Sequence, residues 1–172
     1  MTQQAKIMSN YPVASRVIVF ASAGVVYEGV VSYHLPASRV RPHVLVIENG
    51  NQNLLTFIFF TRLDGTKGWV LVPNESTSGQ SIAQTDPIYS IKKVELPAGK
   101  KRFSFVECTC PELENKKHGH IFDHIEGKNA TPHIYNPKDA RNYFKFLKSL
   151  GRIFCEDKDS IKCVLLEVRN YF

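Results

Sequence analysis

Cys108 and Cys110 stand two residues apart, and so do His118 and His120 ten residues further on. In extended chain, residues i and i+2 share a side, so each pair can offer two ligand atoms to one ion. Two thiolates and two imidazoles complete a tetrahedral zinc shell, and the intervening segment 111–117 is long enough to loop back. The sequence therefore predicts a zinc site on Cys108, Cys110, His118 and His120, with His124 and His133 as spare ligands. The stretch 108–135 gathers two of the four cysteines and four of the six histidines in 28 residues. It carries little apolar material, so an ion would supply order that a core cannot.

The elements that must position this cluster fall on either side of it. From about 13 to 107 the chain alternates β-branched or aromatic runs with Gly, Pro, Asn and Ser breaks, the pattern of an antiparallel β-barrel or sandwich. The expected strands are RVIVF, VVYEGVVSY, HVLVIE, LLTFIFF, WVLV, YSIKKVEL and RFSFVE. VLVI and LLTFIFF are apolar on both faces, which places them centrally, while the last two are half-polar and read as edges. Residues 1–12 read as a mobile arm, and 74–85 as a polar Ser/Thr/Gln loop. Beyond the cluster, Asn136-Pro137-Lys138-Asp139 supplies a cap, a first-turn proline and a first-turn acid. Ala140, Tyr143, Phe144, Leu147 and Leu150 follow at helical spacing, predicting an amphipathic helix over 137–150 stopped by Gly151. The remaining RIFCEDKDSIKCVLLEV reads as a closing β-hairpin turning on 157–160. That hairpin would set Cys155 opposite Cys163 as packing residues or further ligands, and Glu156 opposite Lys162. The expected fold class is thus α+β: barrel or sandwich, Cys/His loop, helix and hairpin, with 108–172 packed as one unit.

Composition bounds the rest. The 172 residues are 43% apolar and 22% charged, as in an ordinary globular chain, and 22 basic against 16 acidic side chains give a net charge of +6. That balance favours an anionic partner. The longest charge-free apolar stretch, 17–27, is half the roughly twenty residues of a spanning helix, so an intracellular protein, cytoplasmic or nuclear and not secreted, is expected. Sparse cysteine points to reduced thiols or metal ligands over disulfides. No Walker loop, G-x-S-x-G or G-x-G-x-x-G occurs, so nothing supports nucleotide-triphosphate chemistry.

Within 25–60 the order is a strand with mid-strand Gly29, a basic loop, a strand, a Glu-Asn-Gly turn and an apolar strand ending in paired phenylalanines. This order resembles the first three strands of OB-fold nucleic-acid-binding domains; SH3-like barrels write a similar pattern. The resemblance implies nucleic acid lying across the second and third strands in a basic groove. Arg39 and Arg41, with Lys92, Lys93, Lys100, Lys101 and Arg102, would then contact phosphates. Phe57, Phe59 and Phe60 lie in an unbroken apolar run, which is more often core than a stacking platform. A second resemblance sits in the cluster. Asp123-His124, followed twelve residues on by Asn136 at a helix start, is similar to the ββα-metal motif of HNH nucleases. It implies a metal-dependent nuclease with His124 as general base, Asp123 on the metal and Asn136 holding the loop.

The sequence thus favours a non-enzymatic accessory protein with structural zinc, binding single-stranded DNA or RNA or an acidic protein surface. A nuclease using His124 and a viral or phage structural or host-interaction protein are the alternatives.

Overall fold

Val17 and Val19, Leu45 and Ile47, and Phe57 recur at the period of two that a strand needs to bury one face, and all five are fully buried. In this computed structural model, residues 2–21, 24–61, 63–72, 87–88, 90–96, 98–111 and 116–172 are described. The chain divides into two units, Met1–Val94 and Glu95–Phe172. The polar loop expected over 74–85 lies outside the described residues.

The first unit opens with helix α1 (Gln3–Asn10), where a mobile arm was expected. The Thr2 hydroxyl accepts from the Ala5 amide at 3.1 Å, capping the helix. Ile7 enters the core, and the Tyr11 hydroxyl donates to the Ile91 carbonyl at 2.7 Å. Two anchors four residues apart are too few to give a periodic signal, which is why the sequence read as coil.

Among the described residues seven antiparallel strands follow: β1 (Arg16–Ala21), β2 (Gly24–Leu35), β3 (His43–Glu48), β4 (Leu54–Thr61), β5 (Lys67–Val72), β6 (Pro87–Ile88) and β7 (Ser90–Lys93). Their order is β6-β5-β4-β3-β2-β1-β7. β6 ends two residues before β7 begins, yet the two pair with opposite ends of the meander, β5 and β1. The sheet must therefore curl to bring its two ends toward each other, giving a half-barrel form. β3 and β4 are central, as their two-sided apolar character predicts, and β7 carries the exposed Lys92 and Lys93 at an edge. The described strands run consecutively from β1 to β5, without the Greek-key crossover an OB barrel implies. Gly29 is required by a close approach, since a Cβ there would lie 2.8 Å from the Glu48 carbonyl oxygen of β3.

RFSFVE does not join this sheet. It forms β8 (Phe103–Glu107), which founds the second unit by pairing with β9 (Gly119–Asp123), itself paired with β10 (Lys128–Asn129). Helix α2 (Pro137–Ser149) forms where expected. Asn136 Oδ1 accepts from the Asp139 amide at 3.0 Å, and Gly151 takes the left-handed φ of 71° that ends it. Ala140, Phe144 and Leu147 are its buried face, against Phe103, Ile121 and Ile134.

The expected closing hairpin is instead helix α3 (Lys158–Tyr171), after a short 3-10 turn at Cys155–Asp157. Ser160, Val164 and Val168 are buried at four-residue spacing, one helical face, while a short apolar run such as VLLEV satisfies either period. The Ser160 hydroxyl accepts from the Phe103 amide at 2.8 Å, locking α3 to β8. The cross-strand pairs Cys155–Cys163 and Glu156–Lys162 therefore do not exist. Cys155 is exposed before the helix, and Cys163 on it accepts from Lys101 Nζ at 2.9 Å.

Arg102 ties these pieces together. It is 1% exposed, and its guanidinium reaches Asp123 Oδ2 at 3.2 Å, Asp157 Oδ2 at 3.1 Å and the Arg152 carbonyl at 3.0 Å. Arg152 in turn pairs with Glu126 at 2.5 Å. Beside this network burial, reinforced by Asp123, pushes the Tyr143 hydroxyl well above the usual phenol range.

Candidate metal centre

Three segments converge at one end of the β8–β9 pair. Cys108 immediately follows β8, and its amide donates to the His118 carbonyl at 3.1 Å, so Cys108, Cys110 and His118 sit at the open end of the ladder. Gly119 pairs in both directions with Ile134, at 3.1 and 2.8 Å, which carries His133 alongside His118. Gly119 makes this approach possible, because a Cβ there would lie 2.5 Å from the Phe105 ring and 2.6 Å from the Val106 carbonyl oxygen.

The result is a group of four ligand atoms. Cys108 Sγ lies 3.4 Å from His133 Nε2, and Cys110 Sγ lies 3.3 Å from His118 Nε2 and 3.7 Å from His133 Nε2. All four atoms fall within 4.8 Å of one another, an arrangement that can hold a metal ion. His118 is buried and its Nδ1 donates to the Lys116 carbonyl at 2.7 Å. That bond fixes the tautomer and turns the Nε2 lone pair toward the sulfurs, the support expected behind a metal-bound imidazole.

The sequence reading brought three of these four residues together and named His120 in place of His133. Strand alternation does put His118 and His120 on one side of β9, but two residues of strand separate them by roughly 6–7 Å along the chain. His120 instead donates from Nδ1 to the Thr131 carbonyl at 2.9 Å, its ring 4.7 Å from that of His133. Nothing in the spacing of His133, 13 residues beyond His120, signals its arrival; that depends on the Gly119–Ile134 bridge.

The residues of the nuclease resemblance are engaged elsewhere. Asp123 is fully buried against Arg102 and accepts from the Ile125 amide at 2.9 Å. His124 Nε2 lies 2.7 Å from the Ser104 hydroxyl, and Asn136 caps α2. Among the described residues, the cluster of Cys108, Cys110, His118 and His133 is the one group of three or more potential ligands.

The expected phosphate contacts divide between the units. Arg39, Arg41, Lys92 and Lys93 are exposed on the first, Lys100 and Lys101 on the second. The hydrogen bond to Cys163 raises the Lys101 ammonium above its ordinary value. Arg102 is corrected: buried on two carboxylates, it is not available to a phosphate. Phe57 is core, and Phe59 packs on it with its ring 5.1 Å from Trp69.

No helix among the described residues is long and apolar enough to cross a membrane. The chain matches none of the protein-family models, curated proteins or solved structures with which it was compared.

Proposed function

We propose that this chain is a non-enzymatic nucleic-acid-binding accessory protein whose second unit is ordered by a structural zinc ion. The convergence of two sulfurs and two imidazole nitrogens from three segments carries the zinc reading. Tetrahedral zinc with Zn–S near 2.3 Å and Zn–N near 2.0–2.1 Å sets S···N edges at about 3.6 Å. The three S···N separations of 3.3, 3.4 and 3.7 Å bracket that edge. Four protein ligands leave no position for water or substrate, the condition of a structural ion rather than a catalytic one. Bound there, zinc would cross-link the ends of β8 and β9 to the segment ahead of α2.

A nucleic-acid partner is supported by the net charge of +6 and by the exposed Arg39, Arg41, Lys92, Lys93, Lys100 and Lys101. Three consecutive antiparallel strands, β2 to β4, with Gly29 at a tight approach favour the OB-like reading; the consecutive order of β1 to β5 favours an SH3-like one. Titrating a labelled oligothymidine into the zinc-loaded protein at several salt concentrations tests the partner. Affinity falling steeply with salt supports it. Absence of binding at physiological salt removes nucleic acid and leaves an acidic protein surface as the partner to test.

A further inference from the structure

Val40 and Leu63 are the two most exposed large apolar side chains among the described residues, the first 94% exposed and the second fully so. Each stands in a loop at the same end of the half-barrel sheet. β2 ends at Leu35 and β3 begins at His43, while β4 ends at Thr61 opposite Lys67, the first residue of β5. His43 pairs with Phe59, so the 36–42 loop meets the sheet beside the end of β4. Ala37 and Pro42 of that loop line one surface cavity with Thr61 and Lys67, which makes the two loops neighbours.

Both tips are held by their own loops. The Ser38 amide donates to the Arg41 carbonyl at 2.9 Å, the Val40 amide to the Ser38 hydroxyl at 3.3 Å, and the Arg41 guanidinium to the Pro36 carbonyl at 3.1 Å. Val40 thus sits in a closed turn with the exposed Arg39 and Arg41 on either side. In the second loop the Asp64 carboxylate turns back to accept from the Thr66 amide at 2.9 Å and the Thr66 hydroxyl at 2.6 Å. Across 36–42 and 63–67 the charged residues are Arg39, Arg41 and Lys67 against Asp64 alone, so basic groups surround the two aliphatic tips. The β3–β4 turn at the opposite end, Asn49–Asn53, carries neither a charge nor an apolar side chain.

We propose that this end of the sheet docks on an anionic lipid bilayer, with Val40 and Leu63 entering the boundary between headgroups and acyl chains while Arg39, Arg41 and Lys67 meet the anionic headgroups. Aliphatic side chains gain by leaving water. Attachment to a bilayer surface grows with the apolar area inserted and with attraction between basic side chains and anionic lipid. Single-stranded nucleic acid would use the arginines, but its bases take aromatic faces, which leaves Val40 and Leu63 without a role. The proposal shares two arginines with the nucleic-acid reading and does not rest on it or on zinc.

Cosedimentation of the full chain with vesicles of phosphatidylcholine alone, and of equimolar phosphatidylcholine and phosphatidylserine, tests the partner. Tighter binding to the mixed vesicles is expected, weakening as salt rises. Val40→Ser combined with Leu63→Ser should weaken it by about tenfold or more, with oligothymidine affinity unchanged. In the unmodified protein, lipid carrying a spin label in its acyl chain should selectively broaden the Val40 and Leu63 methyl resonances, a readout that stands even if the double variant misfolds. No binding to the mixed vesicles, or binding that the double substitution leaves unchanged, overturns the proposal. A loss confined to oligothymidine affinity also overturns it, by assigning the two tips to nucleic acid.

Discussion

His118 presents Nε2 to Cys110 Sγ at 3.3 Å while its Nδ1 is held by the Lys116 carbonyl at 2.7 Å. One imidazole is thus tied to its own loop on one side and faces a thiol on the other. This is how a chain builds a metal ligand: the second bond costs nothing at the moment of binding because the ring is already oriented.

His133 and His120 separate the observed cluster from the one expected on spacing alone. His133→Ala should abolish stoichiometric zinc retention and lower the melting temperature of the second unit. His120→Ala, which removes a bond to the Thr131 carbonyl and a ring contact with His133 but no ligand atom, should keep zinc at one equivalent. Zinc content of the two variants after gel filtration checks this, and the reverse pattern would restore His120 as the ligand.

Arg102 is a framework residue. Arg102→Ala leaves Asp123 and Asp157 buried without their cation, and loss of one partner from a buried pair costs about 3–5 kcal/mol. Urea unfolding of the zinc-loaded protein should show a loss of that order. A change below about 0.5 kcal/mol, typical of a surface position, would return Arg102 to the surface.

His43 makes the first unit acid-sensitive. Its pKa is lowered in the folded state, by burial first and then by the neighbouring His34, so between the two values the unfolded chain binds the extra proton. Stability therefore rises with pH through that window and declines as pH falls below about 6.5, the unfolded imidazole value. Trp69, the sole tryptophan, has its ring 6.4 Å from that of His43, so its fluorescence follows this unit apart from any zinc release. Urea midpoints read at Trp69 should be lower at pH 5.5 than at pH 7.5, and His43→Phe should flatten the difference.

Reversing Lys92 and Lys93 to Glu should weaken oligothymidine binding and flatten its salt dependence, by about 0.7 in log–log slope for each phosphate left unneutralised. Both side chains are exposed at a sheet edge, so thermal stability should stay within the range of surface changes. Unchanged affinity and slope would move the binding surface elsewhere.

Local signals in the sequence reached as far as local physics reaches. Asn136-Pro137 and Gly151 bracket α2 because capping is decided by neighbouring residues. The apolar faces of β3 and β4 were equally plain. Three features depended on distant parts of the chain. VLLEV obeys both strand and helix periods until Ser160 meets Phe103. The basic run at 100–102 reads as a solvated patch until two carboxylates bury its third member. His34 reaches the barrel interior only through a bulge, which shifts the inside–outside parity that a sequence would predict.

Metal content of the freshly purified full chain tests the central claim most directly. Elemental analysis should find one zinc per molecule, lost on treatment with a strong chelator together with a fall in the melting temperature of the second unit. A metal-free protein whose melting curve ignores the chelator would contradict it.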